Sequence, residues 1–284
     1  MKKKTILIDL LVYVFLIIIL LFVLLPLVYT IFGAFKSNME IMAHPEALIP
    51  IQFTMENFEK AFDGQDFNIL RMLWNSMYYT FFSVIITLGV SVTTGYVFAR
   101  GGDFKGNKVI FALFSSLMFI NMGSITIYPT FQVLKIFHLS TSLWGLIVKK
   151  FFAIGIVNIY LVRSFIRTIP IELDEAATLD GCGFLGTFIR VIFPLLKPVV
   201  ATLAILAFQS AWNEYLMPTL FTITKPEQRT LISGIMALKG SDGGATGWGI
   251  MLAGATISLI PILIVYAFLN KYFVDGIAAG AVKG

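Results

Sequence analysis

The chain has 284 residues, of which 58% are hydrophobic and only 13% charged, with a mean hydropathy of +0.87. No soluble interior of that length hides so much apolar surface, so the surplus faces lipid. Its formal charge of +5 is scattered between apolar runs rather than gathered in a patch, which argues against a nucleic-acid partner, and the single cysteine, Cys182, excludes an internal disulfide and a thiolate metal cluster.

Crossing roughly 30 Å of hydrocarbon takes about 20 apolar residues. Six segments meet that length: 8–32, 73–99, 109–128, 142–163, 199–217 and 247–270. The first follows Met1–Lys4, runs far beyond a signal-peptide core and carries no small-residue cleavage pattern, so a retained span is expected. Residues 33–72 then form a loop with Pro45 and Pro50, followed by "MENFEKAF" (55–62), whose spacing predicts a short interfacial helix. The outer half of the third span is made polar by Asn121, Ser124 and Thr126.

The fourth span carries Lys149 and Lys150, roughly 10–12 Å deep at 1.5 Å per residue, where each charge costs about 2.5–3.5 kcal/mol. Two readings stay open. Either the hydrocarbon begins near Phe151 and both lysines snorkel outward, or one lines a cavity, where it attracts an acidic saccharide, while the other pairs with a neighbour. Asn158 adds an amide to the same span, and Gln209 and Asn213, four apart, share a face of the fifth, with Glu214 near its outer edge. Sugars need amides, hydroxyls and aromatic faces, and Trp212 and Tyr215 are nearby. Asn121, Ser124, Lys149, Lys150, Asn158, Gln209, Asn213 and Glu214 are therefore the candidates for a substrate path, the alternative being hydrogen bonds that hold the bundle together.

Between the fourth and fifth spans, the loop 164–198 is polar and finely punctuated. Pro170 suits a first helical turn, and Glu172, Asp174 and Glu175 place negative charge at the positive end of the helix dipole. A capped helix over roughly 171–180 is expected, ended by Gly181 and Gly183, then a second from Phe184 to Phe193 that stops at Pro194. An acidic knob of this kind suits docking on a protein better than lying on anionic lipid. A second outer loop, 218–246, ends in "KGSDGGATG", and a tail, 271–284, follows the last span. With the N-terminus inside, lysine and arginine crowd the inner segments, as at Lys2–Lys4, Arg163, Arg167 and Arg190, which predicts N-in and C-in. The expectation is an all-α integral membrane protein of six spans, a single permease domain over 1–284.

Glu175-Ala176-Ala177, Gly181 six residues after Glu175, and Pro194 closing "VIFP" resemble the EAA loop of bacterial ABC importer permeases. Asp180 before Gly181, "WNEYLMP" from Trp212 and the terminal "GIAAGAVKG" (276–284) resemble the carbohydrate branch, including the maltose-permease G-type subunit; Val191 and Phe193 stand where the pattern prefers isoleucine and leucine. The resemblance implies a coupling helix, with Glu172, Asp174, Glu175, Ala176, Ala177, Asp180, Gly181 and Pro194, seated in a cleft of a separate ATPase. It implies a tail, with Gly276, Ala279, Gly280, Lys283 and Gly284, reaching between the ATPase subunits. The partners implied are a second homologous permease, an ATPase dimer that binds ATP and Mg, an extracytoplasmic solute-binding protein docking on the outer loops, and a sugar or oligosaccharide. The location implied is the bacterial cytoplasmic membrane.

No G-x-x-x-x-G-K-[ST] occurs, and His44 and His138 lie far apart, so neither ATP chemistry, a metal site nor an enzyme is expected of this chain. The rival is an ion-coupled secondary transporter. Such carriers place carboxylates within the membrane, whereas the spans here hold only Asp9 and Glu214, each near an edge.

Overall fold

A computed structural model describes residues 2–64, 67–101, 106–120, 123–153, 155–238 and 247–281, with side chains described from 8 to 268 within those ranges. All regular structure among them is helical. The α-helices are α1 (Lys2–Gly33), α2 (Asn38–Ala43), α3 (Glu56–Asp63), α4 (Ile69–Arg100), α5 (Asn107–Ser116), α6 (Ile127–Ile136), α7 (Leu143–Phe152), α8 (Ile156–Ile166), α9 (Glu172–Leu179), α10 (Phe184–Thr187), α11 (Phe193–Leu195), α12 (Lys197–Trp212), α13 (Leu216–Phe221), α14 (Leu231–Leu238) and α15 (Trp248–Ala281).

Three stretches are long and apolar enough to cross a membrane as single helices: Ile8–Gly33, Ile69–Arg100 and Trp248–Phe268. Three more qualify as bent pairs: Asn107–Phe119 with Gly123–Ile136 at 119°, Leu143–Phe152 with Ile156–Ile166 at 45°, and Phe184–Leu195 with Lys197–Trp212 at 77°. The segments expected at 109–128 and 142–163 are thus not continuous helices. Gly123, at φ 49°, lies at the first break and Gly155 at the second, where glycine releases the backbone from helical geometry.

The chain divides into two compact units. The first comprises Met1–Leu73 and Leu231–Ile260. Its core packs Ala61, Phe67, Ile69, Met72, Leu231 and Ile235. The helix expected at "MENFEKAF" forms as α3, and its inward face is buried in protein: the Asn57 amide donates to the carbonyls of Ala34 at 2.9 Å and Lys36 at 2.6 Å. Gly249 presses so closely on Asn57 that any Cβ there would overlap its amide. By contrast, α1 exposes its apolar side chains all round from Ile8 to Leu25, as a lipid-facing helix does.

The second unit comprises Trp74–Thr230 and Pro261–Gly284. Two hydrophobic clusters lie along the Trp74–Arg100 part of α4. One gathers Val92 and Tyr96 with Val162, Ile166, Phe188, Ile192 and Leu203. The other gathers Tyr79 and Ile86 with Leu134, Leu143, Leu146, Ala211 and Phe221. Between them α4 presents Ser83, Thr87 and Ser91, spaced by four residues and therefore on one face.

Candidate functional site

Two features of the second unit carry the residues of interest: an acidic knuckle at one end of α4 and a polar cavity along its middle.

The knuckle begins with α9, whose first turn holds Glu172, Asp174 and Glu175. The helix closes in a Schellman motif. The Gly181 amide bonds the Thr178 carbonyl at 3.0 Å, the Cys182 amide bonds the Ala177 carbonyl at 2.9 Å, and Gly181 takes φ +84°. A side chain at Gly181 would meet nothing within 4 Å, so its need for glycine is conformational rather than steric. The two alanines part company: Ala177 is buried at 5% exposure, whereas Ala176 faces outward with Glu175, Thr178 and Leu179. Leu179 is 89% exposed and helps line an open depression with Asp174, Glu175 and Thr178.

Asp174 is engaged within the chain. Arg100, at the end of α4, donates from Nε to its Oδ2 at 3.1 Å and from a terminal nitrogen to the Ile169 carbonyl at 2.6 Å. Both side chains are largely buried, so this pair fixes α9 to α4 rather than presenting charge outward. On the far side of the turn, Tyr96 donates to the Phe184 carbonyl at 3.1 Å and packs against Phe184 and Phe188.

Pro194 does not end its helix, as the sequence pattern had implied; the backbone continues helically to Leu195. The turns just ahead, Phe188–Ile192, widen into a π-helix, in which the Phe193 amide reaches the Phe188 carbonyl. That extra residue per turn relieves the clash a proline ring makes with the carbonyl four residues earlier. The sharp bend comes instead at Leu196, ahead of Pro198.

The cavity, of about 280 Å³, is lined by Ser83, Thr87 and Ser91 of α4, Lys150 of α7, Asn158 of α8 and Ser210 of α12, among smaller apolar groups. Lys150 does not snorkel outward. Its Nζ lies 3.2 Å from Glu214 Oε2, and both side chains are about three-quarters buried. Tyr79 donates to the same oxygen at 2.7 Å. One carboxylate oxygen thus ties α4, the end of α7 and the link between α12 and α13. Lys149 is partly buried beside this pair and makes no hydrogen bond or ion pair among the described contacts.

Of the path candidates, Lys150 and Asn158 line the cavity and Glu214 binds Lys150. Gln209 and Asn213 are exposed and outside the lining; the Asn213 amide is spent on the Gln209 carbonyl at 3.0 Å, capping α12. Ser124 is exposed in a short 3₁₀ turn, Gly123–Thr126. Asn121, Lys283 and Gly284 lie outside the described residues, and Gly276, Ala279 and Gly280 lie on the last part of α15, where only the backbone is described. Tyr79, Ser83, Thr87, Ser91, Ser210 and Arg100 are the residues that sequence reasoning passed over. The four-residue spacing from Tyr79 through Ser91 was the available signal.

Among the described residues no group of three or more histidine, cysteine or acidic side chains is placed to hold a metal ion.

A family model described as "Binding-protein-dependent transport system inner membrane component" matches residues 4–278. The "Probable ABC transporter permease protein YurM" of Bacillus subtilis (strain 168) is 33% identical over 273 residues, covering 96% of this chain and 88% of that protein. The "Polygalacturonan/rhamnogalacturonan transport system permease protein YtcP" of the same organism is 29% identical over 296 residues, covering 100% of both. The fold matches a chain in the crystal structure of a bacterial ABC transporter involved in import of the acidic polysaccharide alginate, with a TM-score of 0.78 and 24% identity over 94% of this chain and 96% of that one.

Proposed function

This chain belongs to the family of binding-protein-dependent transport system inner membrane components, and from that premise we propose that it is a transmembrane subunit of an ATP-driven importer moving a sugar or oligosaccharide into the cell by alternating access. Three long helices and three bent pairs support six spans in one permease domain, and the lysine and arginine distribution supports N-in and C-in in the bacterial cytoplasmic membrane. The observation that carries the mechanism is the knuckle: an outward-facing helix, Schellman-capped and pinned to α4 through Arg100 and Asp174.

In this reading, a separate ATPase dimer that binds ATP and Mg receives the exposed face of α9, with Glu172, Glu175, Ala176, Leu179 and Asp180. Asp174, Ala177 and Gly181 hold that face in position, and the tail at 276–284 reaches toward the same partner. A second homologous permease and an extracytoplasmic solute-binding protein complete the assembly. Relatives named for polygalacturonan and arabinooligosaccharide transport support a saccharide substrate. The hydroxyls and amide lining the cavity are suited to sugar hydroxyls, and the pairing of Lys150 with Glu214 leaves that lysine little net charge with which to select an acidic sugar. An ion-coupled carrier finds no support in the family.

Co-purification tests the assembly: an ATPase should travel with the chain. Gly181→Val should leave the complex assembled while abolishing substrate-stimulated ATP hydrolysis. Normal stimulation in that variant would exclude the coupling role.

A further inference from the structure

A second cavity, of about 460 Å³, lies where the ends of α4 and α8 meet the start of α5. Its lining carries four cationic side chains, Arg100, Lys108, Arg163 and Arg167, and among the described residues no acidic one. Arg100 is already neutralised by Asp174. Arg163 is held in place by its neighbours: its guanidinium lies 3.7 Å from the centre of the Phe111 ring, and its Nε donates to the Phe98 carbonyl at 3.2 Å. Neither contact supplies negative charge. Lys108 and Arg167 are exposed and make no ion pair among the described contacts. Among the described residues, three cations therefore converge on one concave site without a counter-charge, an arrangement whose mutual repulsion a bound anion relieves.

We propose that this cavity binds a phosphate-bearing anion, and that its source is the headgroup of an anionic phospholipid. Arginine forks match phosphate oxygens, and lysine adds a compact charge. Basic pockets between membrane helices at the bilayer boundary are suited to such headgroups. The flank of the cavity supplies the rest of the lipid site: Val109 and Leu113 of α5, one turn apart, are 62% and 61% exposed and continue from Lys108 as an apolar strip on which acyl chains can lie. The proposal stands apart from the importer reading, since a chain that brought down no ATPase would still bind the lipid.

The test uses the full chain in zwitterionic phosphatidylcholine bilayer discs doped with phosphatidylglycerol, with retained lipid counted by native mass spectrometry. A parallel arm titrates inorganic phosphate. The pocket variant is Lys108→Gln with Arg167→Gln, both exposed positions, and the control is Lys135→Gln with Lys225→Gln, cations outside the cavity. Selective retention of phosphatidylglycerol should fall roughly 25-fold in the pocket variant, about fivefold for each charge removed, and hold in the control. Inorganic phosphate binding without any lipid preference would keep the anion site and assign it to free phosphate. Binding of neither, or an equal loss in the control, would overturn the proposal.

Discussion

Replacing Glu214 by glutamine keeps the shape of the side chain and removes the charge that Lys150 faces. The Tyr79 hydroxyl can still donate to an amide oxygen, so the loss falls on the lysine. Breaking a fully buried pair costs about 3–5 kcal/mol, whereas an exposed one costs about 0–1. With side-chain exposures of 23% and 25%, this pair lies nearer the buried limit. A destabilisation of about 2–3 kcal/mol is expected, or roughly a hundredfold in the unfolding equilibrium. Most of that is the penalty of a stranded ammonium, so Lys150→Gln on the Glu214→Gln background should return stability to within about 1 kcal/mol of the parent. Denaturant unfolding of the four proteins in mixed micelles closes the double-mutant cycle. If the double variant loses the sum of the single losses, the two groups are not coupled and the ion pair is not what joins these elements.

Gly181→Ala should cost about 1–2 kcal/mol through the left-handed backbone alone, seen as faster hydrogen exchange at the Cys182 amide; exchange at the parent rate would remove the cap from the account. Asp174→Asn takes the counter-charge from Arg100 and should loosen the knuckle by about 1–2 kcal/mol, raising limited proteolysis between residues 170 and 183 in proportion. Gly249→Ala forces Asn57 off its two carbonyl partners, so a loss of about 1–3 kcal/mol is expected in a thermal melt of the full chain. In transport assays of the assembled importer, Lys149→Gln, which lies outside the cavity lining, should affect uptake of acidic and neutral saccharides alike, and a selective loss of acidic ones would give Lys149 a charge-reading role.

Hydropathy located the long apolar stretches because apolarity is a property of whole windows, insensitive to the exact path of the chain. The breaks at Gly123 and Gly155 were not legible by that route, since a window average cannot distinguish one straight helix from two angled ones. The cap at Gly181 could be read locally, because a Schellman turn is decided by a few adjacent residues. Pro194 misled for the opposite reason: whether a proline stops a helix or is absorbed by a π turn depends on packing at Phe188 and Ile192, both buried in the cluster around Tyr96. The partners of Lys150 and Arg100 lie 64 and 74 residues away, so only the tertiary fold reveals which charges are spent internally. The serine and threonine stripe on α4 was present as a spacing, but hydroxyls in a membrane helix commonly satisfy carbonyls of their own turn, as Thr93 does with Gly89.

The stretch of α4 from Tyr79 to Arg100 holds the Glu214 contact at one end and the α9 clamp at the other, with the cavity's hydroxyls between. Its twenty-two residues of unbroken helix, 21 steps of about 1.5 Å, make a rod of about 31 Å. No proline interrupts it, and the helix runs unbroken past Gly89 and Gly95. Tilting such a rod by about 10° about one end carries the other through roughly 5 Å, one helical turn. A displacement of that size would drag Tyr79 off Glu214 and alter the bore of the cavity in the same stroke, which makes this stretch of α4 a lever whose two loads cannot move independently.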